Sequence, residues 1–209
     1  MSQRTLVVDL GGVVLRWDPV ALVAQALPEL AAAHGGAPAL AGLLFQDFAA
    51  DGDWSQFDRG VIGEPELAAR MSARTGISLT AAHALLDAVP GHLAFLEPTG
   101  LLLDRLHGNG LRLVYLSNMP LRYAAWLETQ DRFRGWFVDG VFSARVGHVK
   151  PEPEIFDLAQ QRLGLDPAAT LLIDDRAVNL GQAARHGWST LLFTGAPQAT
   201  ARLAEMGWL

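Results

Sequence analysis

Five short apolar runs constrain this chain more than any other feature: "TLVVDL" (5–10), "LRLVYLS" (111–117), "VDGVFS" (138–143), "TLLIDD" (170–175) and "STLLFT" (189–194). Their hydrophobicity is nearly continuous, as in strands covered on both faces. Helical patterns separate them at about 98–108, 121–130, 153–164, 177–187 and 197–206. Several follow a proline placed where a helix tolerates it, and Gly187 stands where one should stop. Strands alternating with helices predict an α/β fold built on a doubly wound, Rossmann-like parallel sheet.

One interval breaks that alternation. Between the first and second runs lie roughly eighty residues whose segments, such as "PVALVAQALPELAAAHG" and "GEPELAARMSARTG", repeat apolar residues every three or four positions. They predict an inserted all-helical cap over 17–96, with the α/β core formed by 1–16 and 97–209. A chain of 209 residues that is 50% hydrophobic can bury one core with such an insertion. The net charge of −6 and scattered arginines argue against a nucleic-acid partner. No apolar run is long enough to span a membrane and no basic leader precedes the first strand, so the expectation is a soluble, cytoplasmic protein with no membrane partner. The absence of Cys excludes disulfides and thiolate chemistry. Nothing in the sequence specifies an oligomeric state.

Ligands of doubly wound sheets sit outside the carboxyl ends of the strands. Four of these ends carry unusual groups: Asp9, Ser117-Asn118, Lys150 in the loop after the third strand, and Asp174-Asp175. Carboxylates converging on one point repel unless a cation lies between them, and hard oxygen donors point to Mg²⁺. A phosphate would complete the neutralisation, held by the Ser117 hydroxyl, backbone amides from Gly11 to Val13, and Lys150. Gly11 and Gly12 free the backbone for close approach. Lys150 is the only Lys among 16 basic residues; a compact ammonium on a flexible stem can touch both Asp9 and phosphate, which a planar guanidinium does less readily.

Taken in order, "VVDLGG", "YLSN", "GHVKPEPEIF" and "LLIDDRAVNL" resemble the four motifs of the haloacid dehalogenase-like hydrolase superfamily, and the helical insertion resembles the caps of these enzymes. That resemblance implies Asp9 as nucleophile and Mg²⁺ ligand, with the Gly11 carbonyl and Asp174 as further ligands. It implies Asp175 as a ligand or a holder of metal-bound water, Ser117 and Asn118 as phosphate-binding, and Lys150 as the partner of Asp9 and the phosphoryl group. The activity implied is Mg²⁺-dependent hydrolysis of a small phosphorylated metabolite through an aspartyl phosphate.

Many phosphatases of this superfamily carry a second Asp two residues beyond the nucleophile, as general acid and base. Here that position is Gly11. The Asp-Leu-Gly-Gly pattern resembles instead a subgroup that includes an α-D-glucose-1-phosphate phosphatase, which suggests a sugar phosphate. Two other activities are compatible with the motifs: a 2-haloacid dehalogenase, which uses the first Asp and no metal, and a non-catalytic binding module. Asp18 and His148 are candidates for the missing acid. Trp17, Trp54 and Phe57 are candidates for a substrate pocket, and Asp58 and Arg59 fall in a cap turn that touches the substrate or forms a surface pair. His34, His83, His92, His107 and His186 lack metal-binding spacing and read as structural.

Overall fold

The computed structural model describes residues 3–209; the first two positions of the expected core segment 1–16 lie outside the described residues. Five strands, β1 (Thr5–Val8), β2 (Arg112–Ser117), β3 (Asp139–Phe142), β4 (Thr170–Asp174) and β5 (Ser189–Leu192), form one parallel sheet in the order β3-β2-β1-β4-β5. The doubly wound order reverses beside β1. Its register sets Val8 against both Tyr115 and Ile173, so Asp9 leaves the sheet level with Asp174. The expected strands 5–10 and 170–175 therefore end early, and their last residues enter the loops where ligands bind.

Both sheet faces are buried, and alternate residues go to opposite sides. Leu6, Val8, Leu113, Tyr115, Leu171 and Ile173 join a large cluster that continues into the cap. Val7, Val114, Leu116, Val141 and Leu172 pack instead with Ile155, Phe156 and Leu180. These last three come from α11 (Pro153–Leu163) and α12 (Ala177–Arg185), whereas α7 (Glu97–Gly108), α8 (Leu121–Leu127), α9 (Asp131–Trp136) and α13 (Ala196–Glu205) carry residues of the large cluster. The helix expected over 121–130 stops at Leu127 as α8, and a separate helix that the pattern did not predict, α9, starts at Asp131 and buries Phe133 and Trp136. One turn of helix, α10 (Ser143–Val146), follows β3 directly.

Between β1 and α7 the chain forms α1 (Pro19–Ala26), α2 (Pro28–Ala33), α3 (Ala37–Phe45), α4 (Asp53–Asp58), α5 (Glu64–Thr75) and α6 (Leu79–His92), with a 3₁₀ turn at Gln46–Phe48 and no strand. Local chemistry starts and stops these helices. Asp18 accepts from the Ala21 amide ahead of Pro19, Ser78 accepts from the Ala81 amide, and Gly76 ends α5 in the left-handed conformation. The two chain passages joining this helical cap to the sheet run side by side: Arg16 N donates to Ala94 O, and Leu96 N to Val14 O, both at 2.8 Å. No helix among the described residues is long and apolar enough to cross a membrane.

Candidate active site

Asp9 anchors the site because its own amide donates to Ile173 O (2.9 Å), which locks the strand end before the chain turns away. Its carboxylate accepts from the Leu10 amide at 2.7 Å and meets Lys150 Nζ at 2.9 Å. Lys150, only 3% exposed, also reaches Asp174 Oδ2 at 2.6 Å. The ammonium thus bridges two strand ends that the sequence separates by 165 residues (174 − 9). Desolvation pushes Asp9 up to about 7 and the Asp174 and Asp175 charges add to this, while Lys150 pulls the other way. Lys150 itself is held above the ordinary lysine value by the two carboxylates, against its burial.

Asp174 is fully buried and surrounded by donors. Arg176 N donates to Oδ1 at 2.8 Å, and Asn179 Nδ2 lies 2.9 and 3.0 Å from the two oxygens, in addition to Lys150. Asp175 is exposed to the cavity and makes no such contacts. The two adjacent aspartates, equivalent in sequence, face different surroundings because consecutive residues leaving a strand point to opposite sides. One oxygen from each of Asp9, Asp174 and Asp175 lies within 4.8 Å of the others. Three carboxylates converge, and the one ammonium among them pairs with only Asp9 and Asp174, a donor set and charge balance that suit a hard divalent cation.

The Gly12 and Val13 amides depart from the expected phosphate cradle, and Asn118 has a further role in holding the Lys150 loop. Gly12 adopts φ +77°, and a Cβ there would stand 2.5 Å from Asp175 Oδ2. Its amide donates to Leu15 O at 2.8 Å, and the Val13 amide turns back to Leu10 O, so neither is free to cradle a phosphate. Gly12 is instead required by its backbone conformation and by Asp175. Gly11 lines the cavity, and a Cβ added to it would meet nothing nearer than Trp17 Cβ at 3.8 Å. Asn118 accepts from Lys150 N (2.7 Å) and donates to Lys150 O (3.0 Å), fixing the loop that presents the lysine and leaving one amide proton for a ligand. Ser117, at the end of β2, lines the same cavity.

That cavity, of about 430 Å³, lies between the strand ends and the cap. Trp17 and Trp54 line it as expected, stacked with ring centroids 5.5 Å apart; Phe57 is buried behind them. Phe48, Val89, Leu93, Met119 and Tyr123 also line it and were not legible as a group, because three segments far apart in the chain supply them. Phe48 arrives through an unusual turn in which Gln46, Asp47 and Phe48 all have left-handed backbone, a conformation costing roughly 1–2 kcal/mol per non-glycine residue. Asp18 caps α1 and pairs with neither Asp9 nor Lys150. His148 lies outside the cavity lining, 3.4 Å from Glu152, which also pairs with Arg59. Asp58 lines the cavity.

The sequence profile described as a haloacid dehalogenase-like hydrolase matches residues 3–187. The chain belongs to that family. Among related proteins, the sesquiterpene phosphatase astK of Aspergillus oryzae is 23% identical over 179 residues, 85% of this chain and 83% of the relative. Flavin mononucleotide hydrolase 1 of Arabidopsis thaliana is 26% identical over 154 residues, 74% of this chain and 62% of that protein. Among solved structures, the family enzyme BT-2542 of Bacteroides thetaiotaomicron superposes with TM-score 0.74 at 22% identity, covering 98% of this chain and 99% of the other. L-2-haloacid dehalogenase of Xanthobacter autotrophicus gives 0.66 at 15% identity, covering 98% and 83%. These likenesses establish the fold, shared by this hydrolase with both.

Proposed function

We propose that this hydrolase is a Mg²⁺-dependent phosphomonoesterase acting through an aspartyl phosphate on Asp9, with the division into a 1–16 and 97–209 core and a 17–96 cap functional as well as structural. The observation that carries this is the Asp9, Asp174 and Asp175 cluster around a single ammonium at the cavity floor. A dehalogenase of this family uses the first carboxylate and needs no metal. Asp9, the Gly11 carbonyl and Asp175 would hold Mg²⁺, and Asp174, occupied by Lys150 and Asn179, would be the weakest ligand of the set expected from the motifs. Bound there, the ion supplies charge neutralisation and polarises the phosphoryl group.

The chain's own groups do the rest. The Asp9 oxygen attacks phosphorus, the bond to the departing oxygen breaks, and water later hydrolyses the acyl phosphate to return the carboxylate. Lys150 keeps Asp9 oriented and neutralises phosphoryl charge, while Ser117 and the remaining Asn118 proton offer hydrogen bonds to phosphoryl oxygens. Apart from Asp47 and Asp58, the cap side of the cavity is aromatic and apolar, which favours a bulky apolar or planar leaving group over a polyol. The names of the sesquiterpene phosphatase and the flavin mononucleotide hydrolase agree with that preference. The sugar phosphate suggested by the first motif is the comparison substrate.

The experiment is a rapid-quench search for labelled phosphoenzyme with prenyl, aryl and sugar phosphates, alongside halide release from 2-chloropropionate. Asp9→Asn should lose both phosphoenzyme and turnover. Retained turnover in that variant, or halide release without phosphate release, would sink the proposal.

A further inference from the structure

Phosphoryl transfer to Asp9 needs a proton on the departing oxygen, and the subsequent hydrolysis needs a base for water. Gly11 offers neither, Asp18 is engaged as a helix cap, and His148 is outside the cavity. Four carboxylates line that cavity: Asp9, Asp47, Asp58 and Asp175. Asp9 and Asp175 belong to the floor. Asp47 is exposed on the left-handed turn at the rim.

Asp58 differs from all three. It ends α4 on the cap side of the cavity, and among the described residues its carboxylate has no hydrogen bond and no ion pair. It also borders the adjoining 280 Å³ cavity with Asn118, Lys150 and Arg176, so it overlooks the catalytic floor from two sides. Its main chain is clamped to the core. The buried Ser143 hydroxyl donates to Asp58 O, and Gly60 packs so closely on Ala144 that an added Cβ would lie 2.7 Å from Ala144 O. The chain thus anchors a cap turn against the core and leaves the Asp58 carboxylate unpaired on the wall of the cavity that Asp9 also lines. Arg59, the neighbouring charge, is turned away to Glu152.

We propose that Asp58 is the general acid and base of this enzyme, supplying from the cap the function absent at Gly11. The proposal rests on the phosphomonoesterase activity assigned to Asp9. As the Asp9 oxygen bonds to phosphorus and the ester P–O bond breaks, the Asp58 carboxylic acid gives its proton to the departing oxygen, releasing the alcohol. The resulting Asp58 carboxylate then takes a proton from the water that attacks the acyl phosphate, which restores Asp58 as an acid and Asp9 as a carboxylate and releases inorganic phosphate. Desolvation raises Asp58 to about 8, with the Asp9 charge adding and Arg176 opposing, so an acid form is available near neutral pH.

The test is phosphoenzyme formation by rapid quench, with Mg²⁺ saturating, across aryl and alkyl phosphates of graded leaving-group pKa. Wild type, Asp58→Asn, Asp58→Ser and Asp47→Asn are compared. Both Asp58 variants should stay within about threefold of wild type on the most activated aryl phosphate yet lose about 10²–10⁴-fold on alkyl phosphates, the usual size of general acid assistance. Circular dichroism and thermal unfolding of each variant serve as the check on folding. A uniform loss across the series, an unchanged slope, or a slope that steepens in Asp47→Asn instead would overturn the assignment. Asp9→Asn separates the two failures: if it abolishes turnover while Asp58→Asn leaves the slope unchanged, only the role of Asp58 falls.

Discussion

At the scale of single residues, adjacent identical letters do different work. Gly11 and Gly12 read alike, but only Gly12 has a positive φ, and only there would a Cβ collide with a functional carboxylate. Gly12→Ala should therefore cost about 1–2 kcal/mol in backbone strain and push Asp175 off its position. Gly11→Ala meets only ordinary van der Waals contact and should change stability little. Thermal unfolding and Mg²⁺ titration of the two variants check this; equal behaviour would remove the steric role assigned to Gly12. Asp174 and Asp175 show the same divergence. The side chain bonded to Lys150, Asn179 and the Arg176 amide orients the lysine, and the one open to the cavity is free for a ligand. Residue types and order made the carboxylates, Lys150 and Ser117 legible beforehand. Asn179 was not, because nothing in its sequence context marks a buried amide aimed at Asp174.

Elements of secondary structure were legible where periodicity is long and were missed where burial is decided by few residues. The five strands and the long helices lie where the apolar pattern puts them. The six-residue α9 and the single turn α10 escape notice because propensity says little over so short a span. Yet α10 carries a structural duty: the Ser143 hydroxyl accepts from the Met119 amide at 2.8 Å and donates to Asp58 O, tying the ends of β2 and β3 to the cap helix α4. Ser143→Ala would leave a buried donor and acceptor unpaired, for an expected loss of about 1–3 kcal/mol. Urea unfolding should show a lower midpoint with unchanged slope. An unaltered midpoint would mean that water replaces the hydroxyl and that the clamp is not what holds the turn.

For the whole molecule, the decisive feature is that one cavity is walled by both the sheet edge and the cap, so folding and ligand binding are coupled. A cation held as proposed by Asp9, Gly11 and Asp175 would bind only the folded chain. At a hundred times its dissociation constant it would stabilise by about 2.7 kcal/mol, or roughly 5–11 °C in unfolding midpoint for a domain of this size. Mg²⁺ should raise the midpoint of the wild-type protein and fail to do so in Asp175→Asn, measured by calorimetry without substrate; an equal rise in both would remove Asp175 from the ligand set. By itself the sequence determined the α/β class, the helical insertion and the order of the four motifs, since hydrophobic period and residue type are local properties of a chain. Tertiary structure alone decided which of two aspartates Lys150 holds, that the Gly12 and Val13 amides are already spent, and that Asp58 lines the cavity unpaired while its neighbour Arg59 pairs with Glu152. Those outcomes depend on strand register and on contacts between segments many tens of residues apart, for which neighbouring letters carry no signal.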